Sequence, residues 1–362
     1  VAFVSGPAFS KGEKFLESDL ADEPNEKTAT AIARLQELES KRIITSLELA
    51  ELCSLSTQEQ FVIENMIPAQ ATSIIVGDSG LGKSPLAYQI ALSVASGREF
   101  CHLPVRKSPV LMIDLENSAT QADEMVESLC KFMSLPRPPE LLRLNADFPS
   151  TMEDWSALWD SLKDMLIIVD SLRAAWPLAP EKNAMAATLL QDLKAKTRKN
   201  NLSFILVHHL RKPGTGDDTP PALKETSLIE WLNQASGARS LVNQSDGRIG
   251  VTPDGQDRLL MKSKMRVHDE FDWVLVREYD ETGSPAGYRM EVGLDTIGHA
   301  SKVDLLKLPD AFRFAEARDL LGKKGGSLVK FLEKCIRAGV LERADGGYRK
   351  PSKTVTAAPS RV

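Results

Sequence analysis

Aromatic side chains are scarce, only 6% of the 362 residues, yet 42% are hydrophobic and 26% charged. That balance is ordinary for a soluble globular protein and excludes a wholly disordered or collagen-like chain. Cysteine is also sparse. Cys53, Cys101, Cys130 and Cys335 stand far apart and form no CxxC pair, so neither a disulfide framework nor a zinc site is indicated; reduced, buried packing residues are expected. No run approaches the ~18 apolar residues of a membrane span. Val1 to Ser10 has neither the basic start nor the apolar stretch of a secretory signal, so a cytoplasmic protein without membrane contact is expected. At roughly 150 residues per domain, the length suits two or three domains.

Net charge is −5, which by itself argues against a general attraction to nucleic acid, but the charge is unevenly spread. Residues 301–362 hold 14 Lys and Arg against 7 Asp and Glu, a local charge of +7 that leaves −12 on the rest. The first 70 residues carry 6 basic and 12 acidic side chains. A polyanion could therefore bind one surface without attracting the whole molecule.

Residues 1–28 are acidic and aperiodic and are expected to form a loose arm. Ala31, Ile32, Leu35 and Leu38 then recur at helical spacing, and Leu47 to Leu55 suggests a second helix. Next, β-rich runs at Ser73–Val76, Val110–Leu115, Leu141–Asn145, Leu166–Asp170 and Ser203–Val207 alternate with helices expected near 84–96, 118–133, 152–163 and 184–199. Such alternation predicts an α/β domain with a mostly parallel sheet covered on both faces. After Thr226, four close-set runs, Arg248–Thr252, Arg258–Ser263, Trp273–Val276 and Tyr288–Val292, predict antiparallel strands that extend the sheet. From Ala311 the order is helix, turn, helix, hairpin, a winged-helix-like outline that could bind duplex DNA or a protein partner. The boundaries expected are 1–62 for the acidic arm and helical prefix, 63–300 for the central domain, and 301–362 for the basic winged-helix-like domain with a flexible tail.

The sharpest motif is Gly77-Asp78-Ser79-Gly80-Leu81-Gly82-Lys83-Ser84, a full GxxxxGK[ST] between a predicted strand and an apolar helical stripe at Leu86, Ala87, Ile90, Ala91 and Val94. Gly80 and Gly82 permit the turn that aims successive N–H groups at phosphate, and the helix N-terminus adds positive potential. ATP is the expected ligand, with Lys83 on its β- and γ-phosphates and Ser84 on Mg2+. Pro85 falls in the first helical turn, where its missing N–H breaks no helical bond but withholds one donor from phosphate.

A buried strand, Met165 to Asp170, ends in a carboxylate placed to orient Mg2+ partly through water. Asp170 is followed by Ser171, so a general base must come from elsewhere. Val110 to Asn117 offers Glu116 at a strand end, with Asp114 as the alternative carboxylate. Glu116 is favoured because it lies nearer the carboxyl edge, where ligands bind in such sheets. A helix cap is its competing role, although Asn117 or Ser118 would cap better. The pair His208-His209 ends the run Phe204–Val207; no Cys, Asp or Glu stands at ligand spacing to make it a metal site.

Loop, glutamate-bearing strand and lone aspartate together resemble the RecA-like class, and Gly77–Ser84, Val110–Asn117, Leu166–Arg173 and Phe204–Lys212 are similar to the RepA-like and DnaB-type replicative helicases. The resemblance spans about residues 65–295, including Gln234–Gln244. It implies a RecA-like P-loop ATPase fold, assembly into a homo-oligomeric, hexameric ring, and hydrolysis of ATP between subunits to move on single-stranded DNA, as in a plasmid, phage or mobile-element replicative helicase. His208 or His209, with His209 favoured, would sense the γ-phosphate. The loop after the histidines would face single-stranded DNA in the channel through Arg211 and Lys212. Arg266, supported by Lys264, would reach the nucleotide of the neighbouring subunit as an arginine finger; a solvated strand edge is its competing role. A recombination or repair ATPase that does not unwind, and an ATP-switched DNA-binding regulator, are the rival functions.

Overall fold

The computed structural model describes residues 26–41, 43–55, 61–144, 149–210, 222–234, 239–266, 270–291, 304–337, 340–344 and 346–350. The loose arm, Arg211, Lys212 and the C-terminal tail all lie outside the described residues. The chain divides into two units, Val1–Gln58 and Glu59–Val362.

The first unit holds helices α1 (Glu26–Ser40) and α2 (Ser46–Leu55), which pack on each other. Arg34 ties them with a two-pronged bond to Glu51, Nε–Oε1 2.8 Å and Nη2–Oε2 2.9 Å. The expected helical prefix is present.

The second unit begins with a hairpin that has no strong sequence signature, β1 (Phe61–Ile63) and β2 (Ile67–Pro68). The alternating part follows as β3 (Thr72–Gly77), α3 (Lys83–Ser96), β4 (Val110–Asp114), α4 (Ala119–Met133), β5 (Leu141–Arg143), α5 (Met152–Asp160), β6 (Leu166–Asp170), α6 (Leu172–Ala175), α7 (Asn183–Asn200) and β7 (Ser203–His209). Ser118 closes the start of α4 with a capping box to Gln121, so the cap falls to serine and leaves Glu116 free for another role. Two short helices, α8 (Leu228–Trp231) and α9 (Arg239–Gln244), precede β8 (Gly247–Pro253), β9 (Arg258–Met265), β10 (Phe271–Tyr279) and β11 (Pro285–Met290).

These strands form one nine-stranded sheet in the order β11-β10-β9-β8-β3-β7-β6-β4-β5. The expectation of four antiparallel strands after Thr226 needs one correction. Strand β8 pairs parallel with β3, and only β9, β10 and β11 run antiparallel to their neighbours. The chain between β7 and β8 is long enough to cross back, which a parallel pairing requires. Because β9 lies between β8 and β10, it is not a sheet edge, and the solvated-edge reading of its basic residues does not hold.

Side chains alternate across the strands and fill two cores. Ile75, Met112, Ile168 and Ile205 pack with α3 and α4, while Ile74, Val76, Ile167 and Val169 pack with Trp155, Trp159 and the apolar face of α7. Each such fully buried aliphatic side chain contributes about 1.5–3 kcal/mol. The antiparallel end of the sheet folds onto the α3–α4 side, since Trp273, Leu275, Tyr288 and Met290 belong to the first of these cores and β11 lies against both helices. Gln89 of α3 secures the open edge of β11. Its Nε2 donates to the Tyr288 carbonyl at 2.8 Å and its Oε1 accepts from the Tyr288 N–H at 2.8 Å, replacing a missing strand neighbour.

Near the C-terminus, a helical turn at 304–306, β12 (Ala311–Phe312), α10 (Phe314–Leu321), α11 (Gly325–Arg337), β13 (Glu342–Ala344) and β14 (Gly347–Arg349) have the winged-helix order, with a small sheet β12-β14-β13. They have their own core of Leu308, Phe312, Ala317, Leu328, Leu332 and Cys335. All four cysteines are free, but only Cys130 and Cys335 are buried; Cys53 is exposed and Cys101 half-buried, so the expectation of four buried cysteines is half right.

Candidate functional site

The site lies along the carboxyl edge of four adjacent parallel strands, β3, β7, β6 and β4. Register decides who meets whom: Gly77 is paired with His209, and Asp114 with Asp170. Open parallel sheets place ligands at this edge because strand ends and helix starts converge there.

Between β3 and α3 the phosphate-loop turn is made by Gly80 and Gly82, with φ of 77° and 87°. A left-handed backbone costs little only without a Cβ. Gly82 caps α3, and its carbonyl accepts the first helical bond from the Leu86 N–H at 3.1 Å. Pro85 is the third residue of the helix, so its absent N–H has no helical partner to lose, as the sequence implied.

Lys83 is buried, and its Nζ donates to the carbonyls of Gly77 at 2.9 Å and Asp78 at 2.5 Å. It also lies 3.2 Å from His209 Nδ1, and the Ser79 hydroxyl is 3.3 Å from the same nitrogen. An ammonium can only donate, so Nδ1 must be the acceptor and Nε2 must carry the ring hydrogen. That hydrogen points at Glu116 Oε1, 3.2 Å away. Lys83, His209 and Glu116 thus form a directed chain from the phosphate loop to a carboxylate on another strand end. Of the histidine pair, His209 joins the site and His208 is buried.

Burial pushes the Lys83 ammonium down, opposed by the charges of Asp170, Glu116 and Asp78. Burial alone would raise Glu116, but the Ser171 hydroxyl, the His209 ring and the Lys83 charge outweigh it and hold this carboxyl below its ordinary range. Asp170 is the opposite case. Burial pushes it up to about 6, with the Ser84 hydroxyl pulling it down and Glu116 and Asp114 adding repulsion.

Asp114, the alternative base, is fully engaged. It is buried and accepts from the Tyr88 hydroxyl at 2.9 Å, the Glu116 and Asn117 N–H groups at 3.1 and 2.9 Å, and the Asn117 side-chain amide. With its oxygens filled it anchors the turn that carries Glu116.

Ser84 and Asp170 fit a hard divalent cation. Both offer oxygen, they are neighbours across the loop, and Asp170 Oδ2 is buried with no hydrogen-bond partner. Mg2+ characteristically takes one or two protein oxygens and completes its shell with water and phosphate. Among the described residues no three His, Cys, Asp or Glu side chains converge as a metal cage.

Arg266 is elsewhere in its own subunit. Met265 pairs with Gly247 and Gly247 with Ser73, so Arg266 follows the strand end opposite the phosphate loop, about 16 Å along the strand direction from Gly77. Its guanidinium pairs with Asp246 at 3.1 Å and donates to the carbonyls of Asn243 and Gln244 at 3.3 and 3.0 Å, closing the C-terminus of α9. Lys264 faces Arg248 across the β8–β9 register. Sequence reasoning missed two residues at the loop: Arg277 Nη2 donates to the Leu81 carbonyl at 2.9 Å, and the Tyr288 hydroxyl to the Gly82 carbonyl at 3.1 Å. Lying about 200 residues away on β10 and β11, they carry no local spacing signal.

A protein-family model described as an AAA domain matches residues 39–215, a span that includes the phosphate loop, Glu116, Asp170 and His209. No curated protein matches the sequence. Among solved structures, the chain is similar to a crystal structure of the RadB recombinase, at 15% identity and a TM-score of 0.41, covering 59% of this chain and 89% of that one. The central domain is an α/β domain with a large, mostly parallel sheet that carries the phosphate-loop motif at its carboxyl edge. No helix among the described residues is long and apolar enough to cross a membrane.

Proposed function

We propose that the protein is an ATP hydrolase that works on DNA as a homo-oligomeric ring, in the manner of a RepA-like replicative helicase. The observation that carries the reading is the chain from Lys83 through His209 to Glu116, set beside the buried carboxylate of Asp170. Gly77 to Ser84 would hold the phosphates of ATP, with Lys83 as the charged donor. Ser84 and Asp170 would hold Mg2+, which when bound supplies positive charge against the phosphate oxygens. Glu116, kept ionised by its neighbours, would accept the proton of the attacking water.

His209 touches both the phosphate-binding ammonium and the base, so loss of the terminal phosphate would be felt at the end of β7. The segment that follows contains Arg211 and Lys212, the proposed contacts to single-stranded DNA. Arg266 is proposed as the residue presented to a neighbouring subunit, in competition with its role at the end of α9. Duplex DNA or a protein partner is proposed for the basic winged-helix-like region.

The test is the ATPase rate against protein concentration, with and without single-stranded DNA. A ring predicts a rate per chain that rises with concentration and is stimulated by the strand. A rate strictly linear in protein and indifferent to DNA would refute the ring reading. Strand displacement on a forked duplex then separates a helicase from a recombination ATPase, and DNA-duplex preference lost on removing 301–362 would favour a regulator.

A further inference from the structure

We infer that Arg277 and Tyr288 are positioning residues of the phosphate loop, setting which way its peptide groups face. This rests on the nucleotide-binding reading above and deepens it. In a trans peptide the carbonyl of one residue and the N–H of the next point in opposite directions. Arg277 holds the Leu81 carbonyl at 2.9 Å, so the Gly82 N–H is turned away from the β10–β11 hairpin. Tyr288 holds the Gly82 carbonyl at 3.1 Å, which does the same for the Lys83 N–H.

These two amides are in the stretch of loop that a phosphate must meet. The hairpin itself is fixed, because Gln89 of α3 binds both the N–H and the carbonyl of Tyr288 and the Tyr288 ring is buried. Arg277 lies over that ring, 5.9 Å from its centroid, so the two donors are mutually placed. A side chain at position 82 would run into the Tyr288 hydroxyl, which shows how closely the hairpin bears on the loop. The donors therefore come from a rigid element about 200 residues downstream, outside the segment 39–215 that the AAA-domain family covers.

The experiment titrates full-length wild type, Tyr288→Phe, Arg277→Gln and Lys83→Ala with ATP and with ADP, each in Mg2+, by calorimetry. Tyr288→Phe removes one hydroxyl at constant shape and should raise Kd by about three- to tenfold; Arg277→Gln removes a charged donor and should raise it about ten- to a hundredfold. Both effects should be equal for ATP and ADP, because a misaligned loop serves every phosphate it cradles. Loss for ATP alone would overturn the inference, since it would mean direct contact with the terminal phosphate. So would a lowered Tm with both affinities unchanged, the mark of a merely structural pair. If Lys83→Ala loses binding while the two hairpin variants bind as wild type does, only this inference falls. If wild type binds neither nucleotide, the underlying reading falls with it.

Discussion

Asp170→Asn should make the nucleotide-free protein more stable while removing its hydrolysis. Asp170 is 1% exposed, and burial raises its carboxyl from 3.8 to about 6. The sign follows from proton counts. Between those values the folded chain holds a proton that the unfolded chain has released, so stability falls as pH rises through the interval and stays low above it. The full penalty is about 3 kcal/mol at about pH 7.5, and only about 1 kcal/mol is present at about pH 4.5. Asparagine does not titrate, so its advantage over wild type should grow by about 2 kcal/mol between those two conditions. Trp155, Trp159 and Trp176 form a buried cluster with centroids 5.0 and 5.3 Å apart in the core beside β6, so urea unfolding followed by their fluorescence reads the relevant region. Adding Mg2+ and a non-hydrolysed ATP analogue should narrow the difference, because wild type binds the Mg2+ complex more tightly than the variant that lacks this carboxylate. A stability difference that is the same at both pH values would refute the burial argument.

Two further outcomes follow from the same geometry. Glu116→Gln should keep nucleotide affinity within a few-fold of wild type while slowing hydrolysis by about 10²–10⁴, since amide replaces the proton acceptor but still meets the His209 N–H; single-turnover hydrolysis checks it. Arg266→Ala should remove turnover in assembled protein with nucleotide binding intact if it acts on a neighbour, whereas a variant that hydrolyses ATP normally and only melts earlier would leave it as the clasp of α9.

Much was legible in the chain because it is local. The phosphate loop announces itself through glycine spacing, and its lysine, serine and proline follow by position alone. Strand β6 and its terminal Asp170 come from an unbroken apolar run, and the helices α3, α4 and α7 from periodicity. Two carboxylates at the end of β4 are legible as Asp114 and Glu116, but only the structure shows that Tyr88 and Asn117 fill the oxygens of Asp114. The parallel pairing of β8 was not legible, since a strand does not encode the direction of its neighbour.

What the sequence determined by itself is the machinery held within single turns: a glycine turn, a lysine at the start of a helix, carboxylates at strand ends. Those features depend on backbone sterics and short-range periodicity, which act over a few residues. Tertiary structure alone decided that His209 joins Lys83 to Glu116, that Asp170 loses water on every side, and that Arg277 and Tyr288 reach the loop. Each of those depends on sheet order and register, and contacts between distant segments exist only once packing has brought the strands together.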